Sequence, residues 1–121
     1  MFNLNILAED GEAVYVRCVG NLDEQPLLAE VNPLVRLLGP TVFERRVRLN
    51  LERVEFLDSR GIGWLVECHK RFRQGGGALS LYRLPPRILQ VLRFCSMDRY
   101  FHLIREETGD SSRALPEADS I

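Results

Sequence analysis

A basic excess is what this chain most plainly lacks. Sixteen Lys and Arg side chains stand against seventeen Asp and Glu, for a formal net charge of −1. A protein that neutralises phosphates along a nucleic acid carries a positive surplus or stripe, so no nucleic-acid partner is expected. Cysteine is scarce and odd in number. Cys18, Cys68 and Cys95 lie far apart in sequence and form no disulfide framework. Reduced core thiols in a cytosolic protein are the expectation. No apolar run is long enough to cross a bilayer and no charged-then-apolar leader is read, so no membrane partner is expected. Histidine occurs twice, as His69 and His102, without partners at metal-ligand spacing. Cys68 and His69 are adjacent, point about 100° apart on a helix and cannot chelate one ion well. His69 falls on the apolar stripe of Leu65, Val66 and Phe72 and reads as a packed or edge histidine. Gly61-Ile62-Gly63 lacks the third glycine of a dinucleotide fingerprint. Gly75-Gly76-Gly77 precedes a strand rather than a helix, which makes it a helix stop and not a phosphate loop. No cofactor and no metal is expected. Nor is an enzyme, because no base or nucleophile pair accompanies any candidate residue.

What is present is alternation. Phe2, Leu4 and Ile6 interleave with Asn3 and Asn5, and Val14, Val16 and Cys18 with Tyr15 and Arg17. Val47, Leu49 and Leu51 interleave with Arg46, Arg48 and Asn50, and Leu79 and Leu81 with Ser80 and Tyr82. Each is a strand with one apolar and one wetter face. Glu9-Asp10-Gly11 predicts a hairpin between the first two. Helical spacing predicts a helix over 24–38, capped by Asp23, bent at Pro33 and stopped at Gly39-Pro40. A second helix starts near Ser59, buries Ile62, Leu65, Val66 and Phe72, and ends at Gly75-Gly76-Gly77. A third starts at Pro85-Pro86 and buries Ile88, Val91, Leu92 and Cys95. A short strand near Phe101–Ile104 closes the sheet.

These elements predict an α/β fold: one domain over residues 1–106, with a mixed, mostly parallel sheet of four to five strands and helices mainly on one face. Arg17, Arg46, Arg48, Asn50, Ser80 and Tyr82 then line an opposite face left largely uncovered, because strands buried on both sides would be apolar throughout. Residues 107–121 lose apolar periodicity and read as a C-terminal tail with room for one short helical turn.

The most informative stretch runs from Val54 to Leu65, where an apolar strand ends in Leu57-Asp58-Ser59 and a glycine-led helix begins. Ser59 stands at a helix N-terminus, where unpaired N–H groups and the helix dipole favour an anion. A phosphate there adds about −1.5 to −2 charge to the surface. On spacing alone Asp58 or Ser59 reads as simply the helix cap, a role worth about 1 kcal/mol. Strand carboxyl ends are where α/β folds bind, which adds weight to function. Trp64 falls about 200° from Ile62 around the helix, with Glu67, Cys68 and Arg71. It is either an outward anchor for a partner or a ring folded against the helix flank.

Taken together, Val16-Arg17-Cys18-Val19-Gly20-Asn21-Leu22-Asp23, the segment from Arg48 to Gly63 containing Asp58-Ser59-Arg60-Gly61, and Leu84-Pro85-Pro86 with Val91-Leu92 and Met97-Asp98-Arg99-Tyr100-Phe101 resemble the STAS domain. This family comprises sulfate-transporter cytosolic domains and bacterial anti-sigma factor antagonists. The resemblance covers residues 2 to about 106. It implies a cytoplasmic partner-switching protein whose Ser59 is phosphorylated by a kinase-type anti-sigma factor and reset by a phosphatase. Asp23 and Asp58 match the family's acidic positions near that site, and with Arg60, Gly61 and Trp64 they are the expected partner-binding residues. Arg60 departs from the family, which usually has a small hydroxyl residue there, and Ser96 replaces a common glycine. A non-switching STAS subunit of a lipid-transport or stress-sensing complex is the alternative function.

Overall fold

The computed structural model describes residues 2–23, 26 and 29–104. The described elements run β1 (Asn3–Glu9), β2 (Val14–Leu22), α1 (Pro33–Leu38), a single 3-10 turn (Val42–Glu44), β3 (Arg46–Leu57), α2 (Ser59–Gly75), β4 (Ala78–Tyr82), α3 (Pro86–Phe94) and β5 (His102–Ile104). The strands form one sheet in the order β1-β2-β3-β4-β5. β1 and β2 are antiparallel and the other pairs are parallel. The expected tail, residues 107–121, lies outside the described residues.

The hairpin forms as its turn sequence demands. The Asp10 carboxylate accepts hydrogen bonds from the Glu12 and Ala13 backbone N–H groups at 2.7 and 2.8 Å. Such a side-chain-to-backbone turn reverses the chain with few residues. On β1 the alternation does not hold. A register shift between Ile6 and Ala8 reverses the phase after Ile6, so Leu7 and Ala8 pack on the other face, while Ile6, opposite Val16 on this edge strand, is 46% exposed. A bulge adds one residue on one strand, so every later side chain changes side.

The helix expected over 24–38 is corrected in its middle. Ala29–Asn32 is not helical, and α1 begins at Pro33. Residues 24, 25, 27 and 28 lie outside the described residues. Asn32 caps α1, its side-chain oxygen accepting from the Leu34 N–H at 2.8 Å. At the first helical position the missing proline N–H costs nothing, whereas inside a helix it removes a bond and the ring clashes. The chain therefore starts a new helix at Pro33 rather than bending an old one.

Val14, Val16 and Cys18 of β2, Val47, Leu49 and Leu51 of β3, and Leu79 and Leu81 of β4 meet Ile62, Leu65 and Phe72 of α2 and Ile88 and Leu92 of α3 in one core. Each such side chain contributes about 1.5–3 kcal/mol on burial. Cys95, expected in this core, is exposed. It is the residue that ends α3, where the backbone turns away from the helical path.

The polar alternates share the opposite face, in the rows Arg17-Asn50-Tyr82-Ile104 and Tyr15-Arg48-Ser80-His102. That face is less open than expected: Tyr15, Asn50, Ser80 and Tyr82 are all buried. Their mutual contacts supply a reason. Tyr15 and Tyr82 meet edge to face at 6.0 Å. The Arg48 guanidinium lies 5.4 Å from the Tyr15 ring centre and donates to its hydroxyl at 2.9 Å. Ser80 and His102 are hydrogen-bonded at 2.7 Å. Aromatic and guanidinium planes stacked across adjacent strands cover short polar side chains without breaking their polar contacts.

Candidate functional site at the start of α2

The parallel β2–β3 ladder ends with Leu22 beside Leu57. The next residues, Asp23 and Asp58, therefore leave the sheet at the same edge, the carboxyl ends of the two strands. Asp58 has extended backbone and caps α2, which begins with Ser59. One Asp58 carboxylate oxygen accepts from the Arg60 and Gly61 backbone N–H groups at 3.0 and 3.1 Å. The other accepts from Arg60 Nε and Nη2 at 3.1 and 2.7 Å. The Arg60 guanidinium, aided by the two backbone N–H groups, holds the Asp58 carboxyl below its ordinary range, against burial, which acts the other way.

The capping role that the sequence left open between Asp58 and Ser59 belongs to Asp58. Ser59 is exposed at the first helical position. Asp58→Ala is expected to lower stability by about 1 kcal/mol, the usual worth of an N-cap, as measured by urea denaturation.

Gly61 is buried, and its lack of a side chain is required by a close approach. A Cβ there would lie 2.0 Å from the Leu22 carbonyl oxygen and 3.0 Å from Leu57 Cδ1. The first turn of α2 thus rests directly on the end of β2, which carries Asp23. Arg60 curls back onto Asp58 with about half of its side chain exposed.

Of the two readings left open for Trp64, the packed ring holds and the outward partner-binding anchor does not. Trp64 is 2% exposed, and its ring meets Phe2 edge to face at 5.6 Å. Cys68, expected on the same outward flank, is also buried, with Asn32 Nδ2 donating to its sulfur at 3.5 Å. Phe2 and the Ala29–Val35 segment lie over this flank, so α2 buries two sides rather than one. Helical spacing gives the angle of a residue around its helix, not which later segment covers that angle.

The remaining chemistry is sparse. Burial pushes the Cys68 thiol up to about 12 and raises that of Cys18 too, which removes both as nucleophiles. His69 packs against the Tyr100 and Phe101 rings at 4.8 and 5.8 Å. Burial lowers its pKa. Among the described residues no group of three or more His, Cys, Asp or Glu is placed to hold a metal. A cavity of about 590 Å³ lies at the opposite end of the strands, lined by residues of the Asp10–Val14 turn, Glu44–Arg46 and Gly76–Ala78. No described helix is long and apolar enough to cross a membrane.

The structure thus brings Asp23, Asp58, Ser59, Arg60 and Gly61 together and removes Trp64 from the surface. Two features escape sequence reasoning: the Leu22 carbonyl seated on Gly61, and the grip of Arg60 on Asp58. A glycine in the first turn of an otherwise strong helix was the one signal for the former.

The STAS domain family model matches residues 6–110. Among solved structures, the anti-sigma factor antagonist SpoIIAA in its unphosphorylated form is 19% identical, with a TM-score of 0.63, over 100% of this chain and 98% of that one. A putative anti-sigma factor antagonist from Thermotoga maritima is 21% identical, with a TM-score of 0.62, over 98% and 94%. The Bacillus cell fate determinant SpoIIAA in its phosphorylated form is 19% identical, with a TM-score of 0.57, over 94% and 98%. These likenesses are of fold, and with the family match across most of the chain they lead to one conclusion: this protein belongs to the STAS domain family.

Proposed function

We propose that this STAS domain is an anti-sigma factor antagonist that binds a kinase-type anti-sigma factor through the surface around Ser59 and is switched off by phosphorylation there. The observation that carries this reading is an exposed serine at the first position of α2, beside one capping carboxylate and next to the strand end that carries a second. Solved structures of SpoIIAA in unphosphorylated and phosphorylated forms support it by analogy of fold. Asp23, Asp58 and Arg60 form the contact surface. Gly61 sets its shape, and buried Trp64 lies outside it.

The physics of the switch is local. A phosphoserine carries about −1.5 to −2 charge. Placed beside the Asp58 carboxylate in a docked interface, it adds like-charge repulsion that costs several kcal/mol. It also needs a counter-charge once water is excluded. Arg60 is the nearest cation by sequence and already serves Asp58, so it offsets part of the change at most. No rearrangement of the fold is required. The domain then spans residues 1–106, with 107–121 as a tail, in a cytoplasmic setting with a phosphatase to reset the serine.

The test is calorimetric titration of the cognate anti-sigma kinase. Ser59→Asp is expected to bind at least about tenfold more weakly than the wild type, a loss of about 1.4 kcal/mol. Ser59→Ala should bind like the wild type but gain no phosphate mass with kinase and ATP. Equal affinity for wild type and Ser59→Asp, with an unchanged intact mass of the wild type, would sink the switch. It would leave instead the non-switching subunit of a lipid-transport or stress-sensing complex, a reading that the guanidinium already facing Asp58 favours.

A further inference from the structure

The end of α3 presents an apolar side chain with nothing over it. Phe94 is 92% exposed, while its helix neighbours Ile88 and Leu92 are fully buried. This exposure is built in rather than a frayed end. The Cys95 N–H bonds the Val91 carbonyl at 3.2 Å, the Ser96 N–H the Arg93 carbonyl at 3.0 Å, and the Met97 N–H the Leu92 carbonyl at 2.7 Å. Ser96 adopts a left-handed φ of 59°, which L residues other than glycine rarely do, and Met97 returns into the core. The last turn is thus closed on itself, and Phe94 stands on it as a fixed knob.

Around that knob the helix is basic. Arg87 is two turns back on the same stripe and Arg93 is adjacent, and α3 carries no acidic residue. This departs from a chain whose formal net charge is −1. Arg87 is held in place by donating from Nε to the Glu55 carbonyl at 3.2 Å, which leaves its terminal nitrogens as donors. Beside Phe94 lies a shallow groove of about 250 Å³ lined by Arg87, Gln90, Val91 and Cys95. A fixed aromatic, an apolar floor and two arginines on a helix without acids complement an acidic amphipathic segment. Aromatic and arginine residues are also the types that dominate binding energy at interfaces.

We propose that the outer face of α3, centred on Phe94, docks an acidic amphipathic helix of another protein, the apolar side of which packs against Phe94 and Val91 while its carboxylates meet Arg87 and Arg93. A second copy of this chain fits poorly, because a two-fold contact would set Arg87 and Arg93 against their own images. A lipid surface fits less well too, since a single protruding ring gives little apolar area to bury and the groove is concave. This inference does not depend on phosphorylation of Ser59.

The experiment is an NMR titration of the full, isotope-labelled chain with a synthetic helical peptide carrying Leu and Phe on one face and Glu on the other. The control peptide has each Glu replaced by Lys. The acidic peptide is expected to shift amides of Arg87, Gln90, Val91, Phe94 and Cys95, and the control to shift none. Binding should weaken about tenfold for Phe94→Ala, weaken again for Arg87→Gln, and fall with added salt. Phe94→Ala removes an exposed ring, so unchanged denaturation of that variant confirms that the fold is intact. No shift at millimolar peptide, equal response to both peptides, or shifts confined to other surfaces would overturn the proposal. So would concentration-dependent self-association lost in Phe94→Ala, or binding of the full chain to anionic vesicles in place of the peptide.

Discussion

Gly61→Ala is expected to destabilise the domain by about 3 kcal/mol, although alanine is the better helix former by about 1 kcal/mol. The reason is the Leu22 carbonyl oxygen, 2.0 Å from where the new Cβ would sit, when ordinary contact begins at 3.4 Å. The obstacle is backbone rather than a side chain that can swing aside. Either the first turn of α2 lifts off β2 or the end of β2 shifts, and Leu57 Cδ1 stands close to the same point. Both responses disturb the core through Leu22 and Leu57. They also displace Asp23 from the start of α2, so binding of an anti-sigma partner should weaken beyond what lost stability explains. Urea denaturation measures the first effect. Hydrogen exchange of the Asn21–Asp23 amides, compared with those of β4, measures the second. A variant as stable as the wild type or more so would mean that helix propensity governs this position and that the contact with Leu22 does not constrain it.

Trp64→Ala is expected to cost about 3–5 kcal/mol, the range for deleting a large buried aromatic. The ring is 2% exposed and packs against Phe2, the first described residue. Its removal opens a cavity and unpins the start of β1. Trp64→Phe should recover much of the loss, because the edge-to-face partner survives. The indole nitrogen is buried without a hydrogen-bond partner, so exchanging indole for phenyl leaves no new polar group stranded and removes one. Measured by chemical denaturation, the alanine variant also separates the two roles considered for this residue. An exposed partner anchor would leave stability within about 0.5 kcal/mol and reduce binding alone.

Much of the site was legible before any coordinates. The Asp58-Ser59 junction needed only the change from strand alternation to helical spacing, and the start of α2 is where that change occurs. The same local logic located Pro86 at the start of α3 and the glycine stop of α2. It failed where a distant segment decided the outcome. Trp64 and Cys68 looked outward because their helix alone offered no cover, and Phe2 with Asn32 and its neighbours supplied it. Ile6 looked buried because alternation does not reveal which strand lies at the edge of the sheet. Asn50, Ser80 and Tyr82 looked uncovered because their packing depends on which strands lie side by side.

By itself, then, the chain's order of residues determined most of the strands and helices, that the sheet is mostly parallel, and that an aspartate and a serine stand together at a helix start. Periodicity, caps and turn chemistry act over a few residues, within reach of anyone reading along the chain. Only the folded arrangement decided that the strand end before Asp23 lies against the first turn of α2, that Gly61 must stay bare, that Arg60 grips Asp58 and that Trp64 is inside. Each of these depends on the distance between atoms brought together by sheet pairing and packing, and linear order does not encode such distances one residue at a time.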